Sequence, residues 1–365
     1  MKTVDTLPTP LRLVGRTRVE QNGRKLVYFG GCDYFRMSSH PRVLKALRDG
    51  LKQHGLNVAA SRTTSGNHPL YERLEAELTA FFRVEAALLA PNGWAPNLMV
   101  AQALAGKFSH VLLDEQAHPS LTAAALLMGC PVVKFRHRDP ADLERVIQRL
   151  GTIVPLVMTD GMFPRDGAVA PVKDYLALLP RNAMLLLDDA HAAGVLGKSG
   201  RGTAEHAGVA DRRIVQTITL SKAFGVFGGA VLGGRKLKAA IIARSGVFIG
   251  STPLPLPLAN AALTALKILR TDRSLRRTLA GNTAYVREQL RHRGIQTAET
   301  PGPIVGLVPR NPGEAARLKR RLLAAGIHPP FSRYPGGPPG GYFRFAISSA
   351  HTRRDLAALA GALAA

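Results

Sequence analysis

The chain has 365 residues, of which 46% are apolar and 20% charged, as in ordinary globular proteins large enough for two lobes. No apolar run approaches the roughly 20 residues of a membrane span, the N-terminus has no apolar signal-peptide core, and Cys32 and Cys130 give neither a disulfide framework nor metal-ligand spacing. The formal net charge of +24 attracts polyanions, such as nucleic acid, coenzyme A or an acidic carrier protein; alternatively, the excess of arginine over lysine reflects genomic base composition.

The first predicted elements are an irregular arm with a strand, followed by two amphipathic helices. The arm and strand cover residues 13–29. A helix is expected to start at Ser38 to Pro41 and to end at Gly55, because apolar residues recur at helical spacing between them. A second helix is expected from about Leu70 on the same evidence.

Short apolar runs then alternate with helical stretches as far as about residue 245. These runs predict buried strands at residues 86–90, 111–113, 154–158, 184–187, 214–219 and 230–232. Strands that alternate with helices predict an α/β fold with a mostly parallel sheet and helices on both faces. Because ligands bind beyond the carboxyl ends of such strands, we expect the polar motifs that follow them to meet at one edge.

The pattern changes after about Ser245. A proline-rich passage leads into a long helical region through Arg293, and a strand, a helix, a strand and a helix follow, at 304–308, 314–325, 342–347 and from 354. We therefore predict an N-terminal arm at 1–45, a large domain at 46–245 and a smaller α+β domain at 246–365. The glycine-rich loop at 334–341 is interpreted either as a lid or as a plain connection.

Two polar motifs follow neighbouring strand-like runs. Asp188-Asp189-Ala190-His191 comes after the run that ends at Leu187, and Lys222 lies in Thr219-Leu220-Ser221-Lys222. A lysine can hold pyridoxal phosphate as a Schiff base, while a carboxylate keeps the pyridine nitrogen protonated. Singly, such motifs are typical of a surface lysine and of a turn or helix cap. Their occurrence together, in order and at strand ends, favours a pyridoxal phosphate site.

Further motifs extend over nearly the whole chain. They are Phe29-Gly30-Gly31-Cys32-Asp33-Tyr34, Ser65-Gly66-Asn67-His68, Asn92-Gly93-Trp94-Ala95-Pro96-Asn97, His118-Pro119-Ser120-Leu121, Thr159-Asp160-Gly161-Met162-Phe163 and Ser349-Ala350-His351. In this order they resemble the α-oxoamine synthase branch of the fold-type I pyridoxal phosphate enzymes, among the class I/II aminotransferases. The resemblance implies a large domain with a mostly parallel seven-stranded sheet, a smaller α+β C-terminal domain, and a homodimer with shared active sites.

The resemblance also implies roles for the residues around the cofactor ring. Lys222 is expected to bind the cofactor and later to move protons at the substrate α-carbon. Asp188 is expected to pair with the pyridinium nitrogen, and His191 to reach the phenolic oxygen of the ring. His118 is expected to stack on the ring; the alternative is an ordinary residue at a helix start before Pro119.

The cofactor phosphate is expected at a helix start, where backbone N–H groups and the helix dipole favour an anion. The residues that match this role are Gly93, Trp94 and Ala95. Thr219 is expected to add a hydroxyl, and the partner subunit to add Ser251 and Thr252. Trp94 is alternatively a core residue.

On the substrate side, the resemblance implies that Arg344 clamps the amino-acid carboxylate, as a bidentate guanidinium does well. A surface arginine is the alternative. Two departures from the family pattern fall here. Asp33 stands where an asparagine usually helps to hold the substrate carboxylate, with Arg36 as its partner or as a surface residue. Pro164 replaces a serine that supplies a hydroxyl.

The resemblance favours a C-acyltransferase that condenses a small amino acid with an acyl thioester, of coenzyme A or an acyl carrier protein, with decarboxylation to an α-amino ketone. The two departures leave open an aminotransferase or other α-carbon chemistry on the same fold. A third hypothesis is a cofactor-binding regulator or nucleic-acid binder, which the scattered basic residues and the lack of interleaved aromatics disfavour. We expect no metal and a cytoplasmic location.

Overall fold

The computed structural model describes residues 8–333 and 337–364. Residues 334–336 of the glycine-rich loop lie outside the described residues, so its lid function stays a prediction. Two compact units are present: unit 1 comprises Met1–Gly31, Thr278–Ala298 and Pro303–Ala365, and unit 2 comprises Cys32–Arg277 and Glu299–Gly302. The domain boundaries near residues 45 and 245 stay a prediction.

The described strands and helices are as follows in chain order. The strands are β1 Arg12–Leu13, β2 Arg18–Gln21, β3 Arg24–Val27, β4 Ala86–Ala90, β5 His110–Asp114, β6 Val132–Phe135, β7 Pro155–Asp160, β8 Met184–Asp188, β9 Ile214–Thr219, β10 Gly229–Gly233, β11 Ile304–Leu307, β12 Phe331–Ser332 and β13 Tyr342–Ala346. The helices are α1 Pro41–His54, α2 Pro69–Phe82, α3 Ala95–Leu104, α4 Pro119–Leu126, α5 Pro140–Leu150, α6 Val172–Leu178, α7 Thr203–His206, α8 Arg235–Arg244, α9 Gly246–Ile249, α10 Leu256–Thr271, α11 Ser274–Arg291, α12 Pro312–Ala324 and α13 Arg353–Ala364. A short 3₁₀ helix covers Met37–Ser39.

Unit 2 contains a seven-stranded sheet in the order β4-β10-β9-β8-β7-β5-β6. Strand β10 runs antiparallel to both neighbours, while the other neighbouring pairs are parallel. The predicted mostly parallel seven-stranded sheet is therefore confirmed. The edge strand β6 was not predicted.

The central strands are mostly apolar and are buried along nearly their whole length, because the sheet is covered on both faces. In β8, Leu186 belongs to the core cluster on one face, while Leu185 and Leu187 belong to the cluster on the other. Side chains alternate across a strand, so a strand between two cores shows no polar alternation. The continuous apolar runs of the sequence reflect this burial.

Three helices of unit 2 begin with the same His-Pro pair. His40, His68 and His118 each precede a proline, and the imidazole of each accepts a hydrogen bond from the backbone N–H two residues later. Proline suits the first helical position because its missing N–H would have no helical partner there. The histidine thus serves as the N-cap, in place of the usual serine or aspartate.

Unit 1 contains two three-stranded sheets, β1-β2-β3 and β11-β13-β12, both antiparallel. The N-terminal and C-terminal parts of the chain meet in this unit: the Val27 N–H donates to the Gly326 carbonyl, and the Ala346 N–H donates to the Phe29 carbonyl. Phe29, Phe343 and Phe345 contribute to a common core.

Candidate active site

The carboxyl ends of β7, β8 and β9 bring three predicted motifs of unit 2 together. Asp160 and Asp188 end β7 and β8 as register partners, and Asp188 faces Thr217 across the β8–β9 pair. Both carboxyl groups are buried. The expectation that the polar motifs meet at one edge of the sheet is confirmed for these residues.

Asp188 is held by two N–H donors. Its Oδ1 accepts from the Ala190 backbone at 3.0 Å, and its Oδ2 accepts from the Asn97 side-chain amide at 2.7 Å. The Asn97 carbonyl oxygen in turn accepts from the Thr217 hydroxyl at 2.7 Å. Asn97 was quoted as part of a motif but was given no role, although an asparagine in the mostly apolar helix α3 was an available signal.

His118 combines a cap function with a place in this cluster. Its Nδ1 accepts from the Ser120 N–H at 3.2 Å and lies 2.7 Å from the Ser120 hydroxyl. Burial lowers the pKa of His118; the charge of Asp188 opposes this shift and that of Lys222 adds to it. The ring is therefore held as a neutral imidazole. Trp94, which is largely exposed, packs against it edge-on with 5.6 Å between centroids.

Asp160 is the member of the carboxyl pair that has a shifted pKa. Burial and then the neighbouring Asp188 raise the pKa of Asp160 well above its ordinary value, which outweighs the hydrogen bond that it accepts from the His118 backbone N–H at 2.8 Å. Two like charges so close in a buried site would repel strongly. The charged form of Asp160 is therefore disfavoured beside Asp188.

Lys222 lies in the turn between β9 and β10. The Leu220 N–H donates to the Gly228 carbonyl, and the Gly225 N–H donates to the Lys222 carbonyl, both at 2.9 Å. The charge of Lys222 acts on both His118 and Asp160, so it belongs to the same cluster. Gly225 has a φ of 62°, and a side chain there would overlap the backbone of Ser38.

His191 lies on the same loop as Asp188 and is buried. Its Nδ1 is 2.8 Å from the hydroxyl of Tyr34, which is also buried. When the phenol donates this hydrogen bond, the imidazole proton is left on Nε2. Tyr34 was quoted as part of a motif but not singled out, because only the tertiary fold brings it to His191.

Asp33 caps the short 3₁₀ helix. Its Oδ1 accepts from the Met37 N–H at 2.8 Å and its Oδ2 from the Ser38 N–H at 2.9 Å. The carboxylate at this position therefore has a structural use that the sequence did not indicate. Arg36, in the left-handed region with a φ of 53°, is buried and is not a surface residue. Contact of Asp33 with substrate stays a prediction.

The predicted phosphate turn is built around Asn92. Its side-chain oxygen accepts the N–H groups of Trp94 and Ala95, at 2.9 and 3.0 Å. Gly93 approaches Thr219 so closely that a Cβ on it would lie 2.5 Å from the threonine hydroxyl. Only glycine leaves this backbone accessible beside a hydroxyl, and that is what binding of a phosphate requires. The residues present therefore fit the cofactor.

The remaining predicted residues lie in different surroundings. Ser251 is half-buried and donates to the Val247 carbonyl, while Thr252 is exposed. Pro164 lies in the turn closed by the hydrogen bond from the Phe163 N–H to the Ala168 carbonyl. In unit 1, Arg344 lies on β13 opposite Gly306 and is half-buried. The substrate and partner roles of these residues stay predictions.

Comparison with known proteins gives consistent matches over almost the whole chain. Residues 25–363 match the family model described as aminotransferase class I and II. The chain is 37% identical to an 8-amino-7-oxononanoate synthase of Thioalkalivibrio sulfidiphilus, over 96% of this chain and 91% of that protein. Serine palmitoyltransferase of Sphingomonas wittichii superimposes with a TM-score of 0.89 at 27% identity, covering 96% and 89% of the two chains. Serine palmitoyltransferase of S. paucimobilis with bound pyridoxal phosphate and myriocin gives 0.91 at 26%, covering 98% and 92%.

Proposed function

The chain belongs to the class I and II aminotransferase family, and we propose that it is an α-oxoamine synthase of the 8-amino-7-oxononanoate synthase type. Such an enzyme joins a small amino acid to an acyl thioester and releases carbon dioxide. The observation that carries this proposal is the identity of 37% with an 8-amino-7-oxononanoate synthase over 96% of the chain. The cluster of Asp188, His118, His191 and Lys222 supports it.

Pyridoxal phosphate supplies the electron sink that makes the α-carbon of a bound amino acid acidic. In our proposal Asp188 would sustain the positive charge of the ring nitrogen, and His191 would donate a hydrogen bond from its Nε2–H to the phenolic oxygen. His118, kept neutral by burial, offers a flat face to the ring. Lys222 would hold the cofactor and would afterwards move the proton at the α-carbon.

We assign the phosphate to the Gly93–Thr219 contact, with Trp94 and Ala95 at the helix start. Since the N–H groups of those two residues already bond to Asn92, a phosphate there would exchange with the asparagine side chain. Ser251 and Thr252 would serve the phosphate of the partner subunit in a homodimer. The exposed position of Thr252 supports this assignment.

The substrates are proposed from charge. Arg344 would bind the amino-acid carboxylate, because a guanidinium matches its two oxygens. The net charge of +24 favours an acidic acyl donor, either coenzyme A or an acyl carrier protein. We place the homodimer in the cytoplasm. In the described part of the chain, no helix has both the length and the apolar character needed to cross a membrane.

The proposal is tested with purified protein, pyridoxal phosphate, a panel of small amino acids and acyl-coenzyme A donors of different length. We expect free thiol and carbon dioxide to be released in equal amounts, and only when both substrates are present. Transfer of the amino group to a keto acid without thiol release would establish the aminotransferase alternative. Salt-sensitive DNA binding at physiological ionic strength, without either reaction, would favour the nucleic-acid hypothesis.

A further inference from the structure

Asn97 is a fully buried amide that the proposed chemistry does not use directly. It lies in helix α3, where its neighbours along the chain, from Ala95 to Ala101, are apolar. Burying an amide is costly unless its polar atoms find partners. All of its hydrogen-bonding partners described above belong to the site of unit 2. The donor and the acceptor in each bond therefore show how the amide is oriented in that site.

The orientation of the amide is fixed by Thr217. The Thr217 hydroxyl donates to the Asn97 carbonyl oxygen at 2.7 Å, so the NH₂ group faces the other way. Thr217 is also the register partner of Asp188 on the neighbouring strand. The pairing of β8 with β9 therefore places Thr217, which orients the Asn97 amide, next to Asp188, which accepts a hydrogen bond from that amide.

The two N–H groups of Asn97 go to two different members of the site. One donates to Asp188 Oδ2 at 2.7 Å, and the other donates to the Ser120 hydroxyl oxygen at 2.9 Å. Because the serine oxygen accepts from Asn97, its own proton is free to point at His118 Nδ1, which is 2.7 Å away. The imidazole Nδ1 then accepts from this hydroxyl as well as from the Ser120 backbone N–H, and the ring carries its proton on Nε2.

We propose that Asn97 is a positioning residue that fixes the Asp188 carboxylate and, through the Ser120 hydroxyl, reinforces the Nε2-protonated form of His118 that the Ser120 backbone N–H already favours. This rests on the proposed function, in which both partners contact the cofactor ring. A single amide would therefore hold the carboxylate for the ring nitrogen and also support the tautomer of the histidine proposed to stack on the ring.

The first test compares the wild type with Asn97→Asp, which has nearly the same shape but cannot donate. Its carboxylate would add a further acid beside Asp188, which already neighbours Asp160, and would no longer donate to Ser120. In the holoenzyme, we expect the visible absorption band of the bound cofactor to shift, and the pH at which the band changes to move. We expect kcat/KM to fall about ten- to a hundred-fold, as for loss of a hydrogen bond to a charged group.

The second test reads the histidine directly. In protein with ¹⁵N-labelled histidine, His118 should give the shifts of an Nε2-protonated ring in the wild type and of mixed tautomers in Asn97→Asp. This measurement is made with and without pyridoxal phosphate, so it tests the network even if the proposed function fails. Lack of cofactor binding by the wild type would count against the function and not against the tautomer.

Thr217→Val provides a variant with an intact Asn97, in case Asn97→Asp does not fold. It removes the orienting hydroxyl, so we expect the same direction of change in the band and in the His118 shifts, and Thr217→Ser should restore both. Thr283→Val is the matched control, because Thr283 is an equally buried threonine whose hydroxyl donates to the Leu279 carbonyl in its own helix. Folded Asn97 and Thr217 variants with wild-type shifts and a wild-type pH profile would overturn the proposal.

Discussion

Asp189 follows the proposed cofactor carboxylate Asp188 and is buried completely. Its Oδ2 accepts the Thr203 N–H at 2.8 Å and the Gln216 amide at 2.6 Å, and its Oδ1 bonds to the Thr203 hydroxyl at 2.6 Å. Burial raises the pKa of Asp189 from 3.8 to about 7, although the hydrogen bonds from Thr203 oppose the shift. The folded protein therefore binds this proton more tightly than the unfolded chain does.

This raised pKa predicts a pH dependence of stability. Between the two pKa values the native state holds the proton and the unfolded state does not. The free energy of unfolding thus falls as the pH rises from about 4 to about 7, by at most about 1.4 kcal/mol per pH unit for one proton.

Asp189→Asn removes this proton exchange. Its amide oxygen accepts from Thr203 and Gln216, and its NH₂ group donates to the Thr203 hydroxyl. In urea unfolding from pH 5 to pH 7, we expect the free energy of unfolding of Asp189→Asn to rise relative to that of the wild type. Parallel pH dependences of the two proteins would contradict the raised pKa of Asp189.

Gly93 tests the cofactor phosphate site with one methyl group. In Gly93→Ala the new Cβ would lie 2.5 Å from the Thr219 hydroxyl, so one of the two backbones must shift. We expect the dissociation constant of pyridoxal phosphate to rise at least about tenfold, measured by absorbance titration of cofactor-free protein. Gly281→Ala is the control, because a side chain there meets nothing within 4 Å in helix α11. Unchanged affinity of Gly93→Ala for pyridoxal phosphate would show that the phosphate does not bind at the Gly93–Thr219 contact.

At the level of elements, Asp33 links the short 3₁₀ helix to the turn of Lys222. Its carboxylate caps Met37 and Ser38, and Gly225 packs against the backbone of the same two residues. Asp33→Ala should lower the free energy of unfolding by about 1 kcal/mol, as for other lost caps. It should also speed amide hydrogen exchange in residues 220–226. Asp33→Asn, which keeps one acceptor, should show smaller changes. Equal exchange in all three proteins would mean that the two elements are independent.

Burial decides which elements could be predicted from the sequence. The runs at 86–90 and 214–219 match β4 and β9 residue for residue, because a strand between two cores is buried and mostly apolar. Strand β6 was missed, since it is a short edge strand with a lysine and partly exposed valines. The long helical region expected before Arg293 is two helices. Helix α10 ends at Thr271, and α11 begins at Ser274, whose N–H donates to the Asp272 side chain.

The same reasoning separates the predictable part of the site from the rest. Lys222 and Asp188 were recognised because they follow strands, and strand ends of one sheet meet at one edge. Asn97 and Tyr34 contact that edge from a helix and from a distant loop. No local pattern marks such tertiary hydrogen bonds, which appear only when donors and acceptors are paired in three dimensions.

At the scale of the whole molecule, the positive charge is unevenly distributed. Unit 1 has 18 basic and 5 acidic residues, whereas the much longer unit 2 has 31 and 20. Unit 1 therefore carries a net +13 and unit 2 a net +11. Part of this charge is exposed on helix α12, at Arg317 and Arg320. A field of one sign raises the rate at which an oppositely charged ligand arrives.

This distribution predicts that the acyl donor is attracted over a distance. The screening length falls from about 30 Å at 0.01 M salt to about 10 Å at 0.1 M, so KM for an acyl-coenzyme A should rise several-fold over this range. KM for the amino acid, which carries no net charge, should change little. Replacing Arg317 and Arg320 by glutamate should weaken the salt effect more than the same replacement of Arg149 and Arg181, two exposed arginines of unit 2. Both double variants lower the net charge of the protein by the same amount. Equal salt slopes would show that the total charge matters and the concentration of charge on unit 1 does not.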